Sequence, residues 1–104
     1  MYIAMNRFRV KPDCSDAFEQ RWQDREVFLN TVPGFVSFQL LRGPEHDDHT
    51  LYASHTIWES HDAFIAWTQS EQFRQAHRHA GEGPALTLGR PVFEGFNVLQ
   101  ELRA

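Results

Sequence analysis

Apolar and polar side chains alternate along residues 2–10, which is the pattern of a β-strand with one face in a core. We predict this first strand from about Tyr2 to Val10. The alternation places the amide of Asn6 between Ala4 and Phe8 on the apolar face. Buried amides are normally hydrogen-bonded, so a polar side chain at this position needs specific partners.

A helix is predicted after the first strand, capped by Asp13 or Ser15 and extending to about Asn30, before Val32-Pro33-Gly34 ends it. The spacing of Phe18, Trp22, Glu26 and Leu29 gives this helix a moderate apolar stripe. Three more strands are predicted at Phe35–Arg42, Thr50–Trp58 and Pro91–Gln100. Between the last two strands, Ser60 caps a helical segment over Asp62–Trp67, and Ser70 begins another that reaches Ala80.

The βαββαβ order predicts an α+β, ferredoxin-like domain, with an antiparallel sheet that carries both helices on one face. We assign all of residues 1–104 to this single domain. Alternation predicts Val36, Phe38 and Leu40 on one side of the second strand and Phe35 and Leu41 on the other; in the last strand it sets Val92, Phe96 and Val98 opposite Phe93 and Leu99. The face without helices is therefore apolar too, which favours a homodimer formed through the sheet.

His77 is the polar member of a predicted helical stripe formed by Phe73, Ala76, His77 and Ala80. His79 lies on a different side of the same helix, so the two histidines are not equivalent. A neutral imidazole on a helix face can serve as a metal ligand. From spacing alone, a single histidine on such a stripe is more often a hydrogen-bonded core or interface residue.

Composition narrows the classes of partner. The formal net charge of −4, with scattered basic residues, argues against a nucleic-acid surface. The single cysteine, Cys14, excludes an intramolecular disulfide framework and fits a reducing compartment. No apolar stretch has the length of a signal peptide or membrane span, so we predict a cytoplasmic protein with no membrane partner.

Several short motifs resemble one family over nearly the whole chain. They are Pro33-Gly34-Phe35, Trp58-Glu59-Ser60, the segment from Ala63 to Phe73, and the combination of Asn6-Arg7, Trp67 and Ala76-His77-Arg78-His79. Together they resemble the dimeric α+β-barrel antibiotic biosynthesis monooxygenase (ABM) superfamily, and within it the IsdG-type haem-degrading monooxygenases.

The resemblance implies an oxygenase that uses haem as both substrate and cofactor and opens the porphyrin with O₂ and electrons, releasing iron. It implies a catalytic triad of Asn6, Trp67 and His77, with His77 as the proximal ligand of the haem iron. Arg21 and Arg25, one turn apart on the first helix, are candidates to pair with haem propionates, although such arginines are often only a solvated helix edge. No flavin or nicotinamide motif is present, so electrons must come from an external donor or reductase.

A purely structural role remains open for each of these residues. Asn6 could satisfy backbone groups at a dimer interface, and Trp67 has helical spacing from Phe64 that is typical of a core residue. Two other functions also remain open. One is a cofactor-independent ABM-type monooxygenase that acts on a polycyclic phenol or quinol; the other is a non-catalytic haem-binding protein.

Overall fold

The computed structural model describes residues 1–25, 29–76 and 85–104. It contains the predicted order of elements. The strands are β1 (Tyr2–Val10), β2 (Phe35–Glu45), β3 (Thr50–Trp58) and β4 (Val92–Asn97). The helices are α1 (Ser15–Asp24), α2 (His61–Thr68) and α3 (Glu71–Ala76), with a 3₁₀ turn over Leu29–Thr31.

The four strands form one antiparallel sheet in the order β2-β3-β1-β4. This confirms the predicted ferredoxin-like α+β fold. β1 lies in the middle of the sheet, where Asn6 is opposite Ser54 on β3 and opposite Phe93 on β4. Directly paired residues share a face of the sheet, so these three side chains lie on the side that carries the helices.

The first helix differs from its prediction at both ends. Asp13 has a φ of 66° and stands outside the helix, and Cys14 occupies the N-cap without a side-chain hydrogen bond. The predicted cap by Asp13 or Ser15 is therefore wrong. The helix also ends at Asp24 and not near Asn30, because Arg25 has extended backbone angles. Arg25 is thus not a helical residue, and the predicted Glu26 lies outside the described residues.

The second strand differs from simple alternation because of an irregularity near its start. The register with β3 shifts between Phe35 and Ser37, which places Phe35 on the same side as Phe38 and Leu40. The prediction that Phe35 shares a face with Leu41 is therefore wrong. β2 also continues to Glu45, beyond the predicted end at Arg42.

The last strand is shorter than the predicted Pro91–Gln100. β4 stops at Asn97, which is opposite Tyr2 at the start of β1. Beyond this pair the neighbouring strand offers only the carbonyl of Met1, which accepts a hydrogen bond from the amide of Val98 at 2.9 Å. The ladder ends because its partner ends.

Serine caps begin both helices of the second helical region, as predicted. The Ser60 hydroxyl accepts a hydrogen bond from the amide of Ala63 at 3.0 Å, and that of Ser70 accepts one from Phe73 at 3.1 Å. α3 is described to Ala76. The predicted continuation through His77 to Ala80 lies outside the described residues.

Two separate hydrophobic clusters fill the space between helices and sheet. The first contains Tyr2, Ala4, Leu29, Val32 and Trp58, with Phe35, Ala63, Phe64 and Trp67 packed against it. The second contains Val10, Phe18, Tyr52 and Leu86, with Phe8, Cys14, Trp22 and Leu40 packed against it. Along β1, Asn6 falls between the two clusters. The polar position predicted from alternation therefore marks the boundary between the two clusters, which we call the seam.

Candidate functional site

The floor of the candidate site is the seam around Asn6. The side chain of Asn6 is half-buried and makes no hydrogen bond to any side chain or backbone group of residues 1–25, 29–76 and 85–104. Ser54, directly opposite on β3, is buried. An amide in such a place keeps its donors and its acceptor available for a ligand.

Aromatic rings form one wall of this seam. Phe93, the cross-strand partner of Asn6 on β4, stacks on Phe64 of α2 with centroids 5.7 Å apart and an interplanar angle of 8°. The Phe64 ring is in turn 6.3 Å from that of Trp67. The structure therefore brings Asn6 and Trp67 to the same pair of stacked rings, which the sequence could not show.

Trp67 is fixed between two other rings. Its indole lies 5.3 Å from the fully buried Trp58 and meets Phe73 edge-to-face at 4.8 Å. Phe73 is held by the Ser70 cap at the start of α3. The indole is thus half-buried in an aromatic layer. The alternative interpretation of Trp67 as a packed core residue therefore describes part of its environment.

A second aromatic group lies on the opposite side of the seam. Trp22 of α1 stacks on Phe38 of β2 with centroids 5.8 Å apart, and the guanidinium carbon of Arg25 is 4.3 Å above the Trp22 ring. Burial lowers the pKa of Arg25 from its ordinary value, but an arginine remains charged at neutral pH. Arg25 therefore places a partly desolvated cation beside an exposed aromatic stack.

Arg21 is exposed on the last turn of α1, and its side chain has a contact of its own. It lies on the helix while Arg25 follows the helix end, so the two arginines are not related by one helical turn as predicted. His77 lies outside the described residues. No statement about its contacts follows from the structure.

A polar group that sequence reasoning missed lies between α1 and β2. The hydroxyl of the buried Tyr52 donates a short hydrogen bond to Glu19, whose carboxylate also meets Arg42 at 3.5 Å. With Gln23 and Leu40 these residues line a cavity of about 370 Å³. Burial, followed by the hydrogen bond to Glu19, raises the pKa of Tyr52. In the sequence Tyr52 has only the pattern of an ordinary strand residue, and the packing of α1 on the sheet brings it to the distant carboxylate of Glu19.

The sheet face without helices carries exposed apolar side chains, an ion pair between β1 and β4, and a buried polar atom. Val92 is 58% exposed, Phe96 44% and Leu41 39%, all on this face. Near the middle, the Nδ1 atom of His55 is buried and has no hydrogen-bond partner within the described part of the chain. An exposed apolar surface with an unsatisfied polar atom inside it is typical of an interface.

None of the described helices has the length and apolar character needed to cross a membrane. Within the same residues, no group of three or more histidine, cysteine, aspartate or glutamate side chains is arranged to hold a metal ion. The groups described above for the candidate site are an amide, aromatic rings and an arginine.

Comparison with known proteins identifies the family. Residues 1–79 match the family model described as antibiotic biosynthesis monooxygenase, and the chain belongs to this family. The chain is 29% identical over 98 residues to a "heme oxygenase (mycobilin-producing)" of Mycobacterium tuberculosis, an alignment that covers 94% of this chain and 84% of the relative. The family resemblance predicted from the sequence is confirmed.

Solved structures of two kinds of oxygenase share the fold. The heme-degrader MhuD of Mycobacterium tuberculosis, solved with two hemes bound in its active site, superimposes with a TM-score of 0.73 at 27% identity, covering 99% of this chain and 100% of that one. SnoaB of Streptomyces nogalater, a cofactor-independent oxygenase, superimposes with a TM-score of 0.68 at 26% identity, covering 99% and 97%.

Proposed function

We propose that the protein is a haem-degrading monooxygenase that binds haem in the seam between its two hydrophobic clusters. The observation that carries this proposal is the half-buried amide of Asn6, which has no partner in the described part of the chain and lies beside the aromatic wall of Phe93, Phe64 and Trp67. Similarity to haem-degrading relatives supports it at moderate identity. All three predicted triad residues, Asn6, Trp67 and His77, belong to this proposal.

The residues present fit a flat, largely apolar ligand with a polar centre and charged edges. Stacked rings offer planar apolar faces, and burying such surface against a macrocycle contributes about 25 cal/mol per Å². Bound haem supplies the iron at which O₂ is reduced and the ring that is opened. His77 is the residue proposed to hold the iron, because a neutral imidazole is a common axial ligand.

Each of the other residues has a separate task in the proposal. The Asn6 amide would donate a hydrogen bond to a polar group of the bound ligand and so orient it. Trp67, which packs against Trp58 and Phe73, would press on one side of a bound ring. Distortion of the macrocycle is one of the means by which a protein tunes haem.

The arginines near the end of α1 complete the proposed haem pocket. Arg25 stacks on Trp22 beside the exposed ring of Phe38, and the exposed Arg21 precedes it on the helix. Arginine pairs with carboxylates in a bidentate geometry, and a partly desolvated guanidinium binds them more strongly than an exposed one. We assign Arg25, and with it Arg21, to the haem propionates. Electrons for the reaction come from an external donor or reductase.

The proposal includes a homodimer formed through the open sheet face. Exposed apolar side chains of the two edge strands lie on this face, and between these strands β3 carries His55, whose Nδ1 atom has no hydrogen-bond partner among the described residues. A second copy of this face would remove that surface from water, and about 800 Å² per partner is typical of a specific interface. Sedimentation of the purified protein checks this, and a monomer at micromolar concentration contradicts it. The site residues all come from one chain, so each protomer is expected to hold its own site.

Addition of hemin to the apo protein tests the proposed function. The expected result is a histidine-ligated Soret band at saturation, followed by loss of that band when ascorbate is added under air. A stable Soret band under the same conditions would identify a haem-binding protein without turnover. Bovine serum albumin loaded with hemin is a suitable control for degradation that no active site directs.

The second candidate is a cofactor-independent oxygenase of the same family, favoured by the similarity to SnoaB. In that case Asn6 and Trp67 would contact a polycyclic phenol or quinol, and His77 would be incidental. Absence of specific hemin binding, together with O₂ consumption on a polycyclic phenol without added metal or flavin, would support it. Titration of the apo protein with hemin therefore distinguishes the two candidate functions.

A further inference from the structure

A line of oxidisable side chains runs from the candidate site into the core. The indole of Trp67 lies 5.3 Å from that of Trp58, centroid to centroid, with the planes tilted by 32°. Trp58 is the direct cross-strand partner of Tyr2, so the Cβ atoms of these two residues are about 5 Å apart. The Phe64 ring also bridges them, at 5.9 Å from Trp58 and 5.4 Å from Tyr2.

The line ends at Tyr2, close to the protein surface. The hydroxyl of Tyr2 lies over the backbone of Gly95 on β4, and Gly95 is exposed at the sheet edge. The Tyr2 ring also meets the exposed ring of His61 edge-to-face at 4.8 Å. Tyr2 itself is only 6% exposed. Its phenol is therefore shielded over most of its surface and lies one side chain from water.

We propose that Trp67, Trp58 and Tyr2 form an oxidation relay, which transfers a one-electron oxidation of Trp67 to Tyr2 near the protein surface. An electron passes from Trp58 to the oxidised Trp67, and a second passes from Tyr2 to Trp58. The phenol proton goes to water, which leaves a neutral tyrosyl radical and two intact indoles. A phenol is easier to oxidise than an indole at neutral pH, so the transfer runs downhill toward Tyr2.

The relay rests on the proposed function only for the source of its oxidant. In a haem site the oxidant would be peroxide, which is reduced to water by two electrons, one supplied by the haem and one by the adjacent indole of Trp67. A small thiol or ascorbate in solution then returns one electron and one proton to the Tyr2 radical. The effect of the relay is to protect Trp67, which the proposed mechanism needs intact.

The chain offers a matched control, since it contains only two tyrosines and three tryptophans. Tyr52 belongs to the other hydrophobic cluster, where the Phe18 ring separates it from Trp22 by contacts of 4.9 and 6.3 Å. Its phenol donates to Glu19. Trp22 and Tyr52 therefore form a pair whose removal leaves the proposed relay untouched.

Pulse radiolysis of the apo protein with azide radical tests the relay without haem, because this reagent oxidises indoles in preference to phenols. In the Tyr52→Phe variant, Tyr2 is the remaining tyrosine. The indolyl-radical band is expected to decay into the tyrosyl band at a rate independent of protein concentration. Adding Trp58→Phe should abolish most of this transfer, whereas adding Trp22→Phe should leave its rate unchanged.

Absence of a tyrosyl band in Tyr52→Phe overturns the relay, and so does an unchanged rate when a folded Trp58→Phe variant is compared. Circular dichroism shows whether Trp58→Phe has folded. If it has not, Tyr2→Phe decides the question: after radiolysis, peptide mass spectrometry should find oxidised Trp67 at several times the level in Tyr52→Phe. Equal oxidation of Trp67 in the two variants overturns the relay.

A second arm separates this inference from the proposed function. The hemin-loaded protein is treated with peroxide, and oxidised residues are located by the same mass spectrometry. Greater damage at Trp67 in Tyr2→Phe than in Tyr52→Phe supports the relay in the haem-bound protein, whereas equal damage overturns it there. If hemin does not bind, the proposed function fails while the result of the radiolysis stands.

Discussion

The hydroxyl of Tyr2 occupies the space in which a side chain at position 95 would begin. A Cβ built on Gly95 would stand 1.8 Å from that oxygen and 2.7 Å from the ring carbon that bears it. The glycine is therefore required by close packing across the β1–β4 pair. It allows a buried tyrosine ring to extend over the edge strand.

Gly95→Ala is accordingly expected to destabilise the protein by about 1–3 kcal/mol, since the Tyr2 ring must leave its place to make room. Urea unfolding monitored by circular dichroism measures the change. Gly43→Ala is the matched control on another edge strand, because its Cβ would meet only the Leu51 side chain, at 3.3 Å from a terminal methyl carbon and 3.5 Å from its Cβ and Cγ atoms. Equal effects of the two substitutions would contradict the proposed clash.

Much of the fold was predictable because β-strand alternation and serine caps are local signals. Alternation identified β1 and the inward position of Asn6, and the Ser60 and Ser70 caps fixed the starts of α2 and α3. The features that the sequence did not predict depend on tertiary contacts. The irregularity that turns Phe35 inward and the end of β4 at Asn97 both follow from pairing with another strand.

The candidate site shows the same division. Asn6 and Trp67 were identified by family resemblance, but their shared contact with the Phe93–Phe64 stack required the sheet register. Arg25 was placed on a helix that in fact ends one residue earlier, because no side-chain pattern signals that extended turn. The hydrogen bond between Tyr52 and Glu19 joins residues 33 positions apart and left no local trace.

This hydrogen bond predicts a loss of stability at alkaline pH. Burial and the Glu19 contact raise the pKa of Tyr52 above the usual value of about 10 for a phenol. Above pH of about 10, the Tyr52 phenol loses its proton in the unfolded state while the folded state still retains it. The unfolded state then binds fewer protons, so stability falls as pH rises through the folded pKa. Below pH of about 10 the contribution is fully present.

Urea midpoints should therefore fall more steeply between neutral and strongly alkaline pH for wild type than for Tyr52→Phe, because the variant has no phenol at position 52. Lysine and arginine titrations are common to both proteins and cancel in the comparison. Parallel curves for the two proteins would show that Tyr52 titrates normally.

Substitution of the two nearby histidines tests the helix phase predicted from the sequence. His77→Ala is expected to abolish tight hemin binding or to change the ligation state seen in the Soret band, because the imidazole on the apolar stripe is the proposed iron ligand. His79→Ala should leave that spectrum unchanged. The opposite outcome, with His79 required and His77 dispensable, would show that the helix phase is wrong.

Substitutions at Asn6 and Trp67 separate binding from chemistry. Neither residue is the proposed iron ligand, so Asn6→Ala and Trp67→Ala are expected to bind hemin with the wild-type Soret band. Loss of one hydrogen bond worth about 1.4 kcal/mol in the transition state slows a reaction about tenfold, and we expect a decrease of this size for Asn6→Ala. Trp67→Phe should be milder than Trp67→Ala, because part of the bulk that presses on the ring remains.

Single-turnover decay of the Soret band under air, with one reductant at fixed concentration, measures all three variants at saturating hemin. Ser54→Ala is a useful comparison, since it changes the floor of the seam directly opposite Asn6 without removing the amide. A rate for Asn6→Ala equal to wild type would remove Asn6 from the mechanism. Slow decay in wild type itself, no faster than for hemin on albumin, would leave the protein as a haem carrier, since a ligand site alone does not produce turnover.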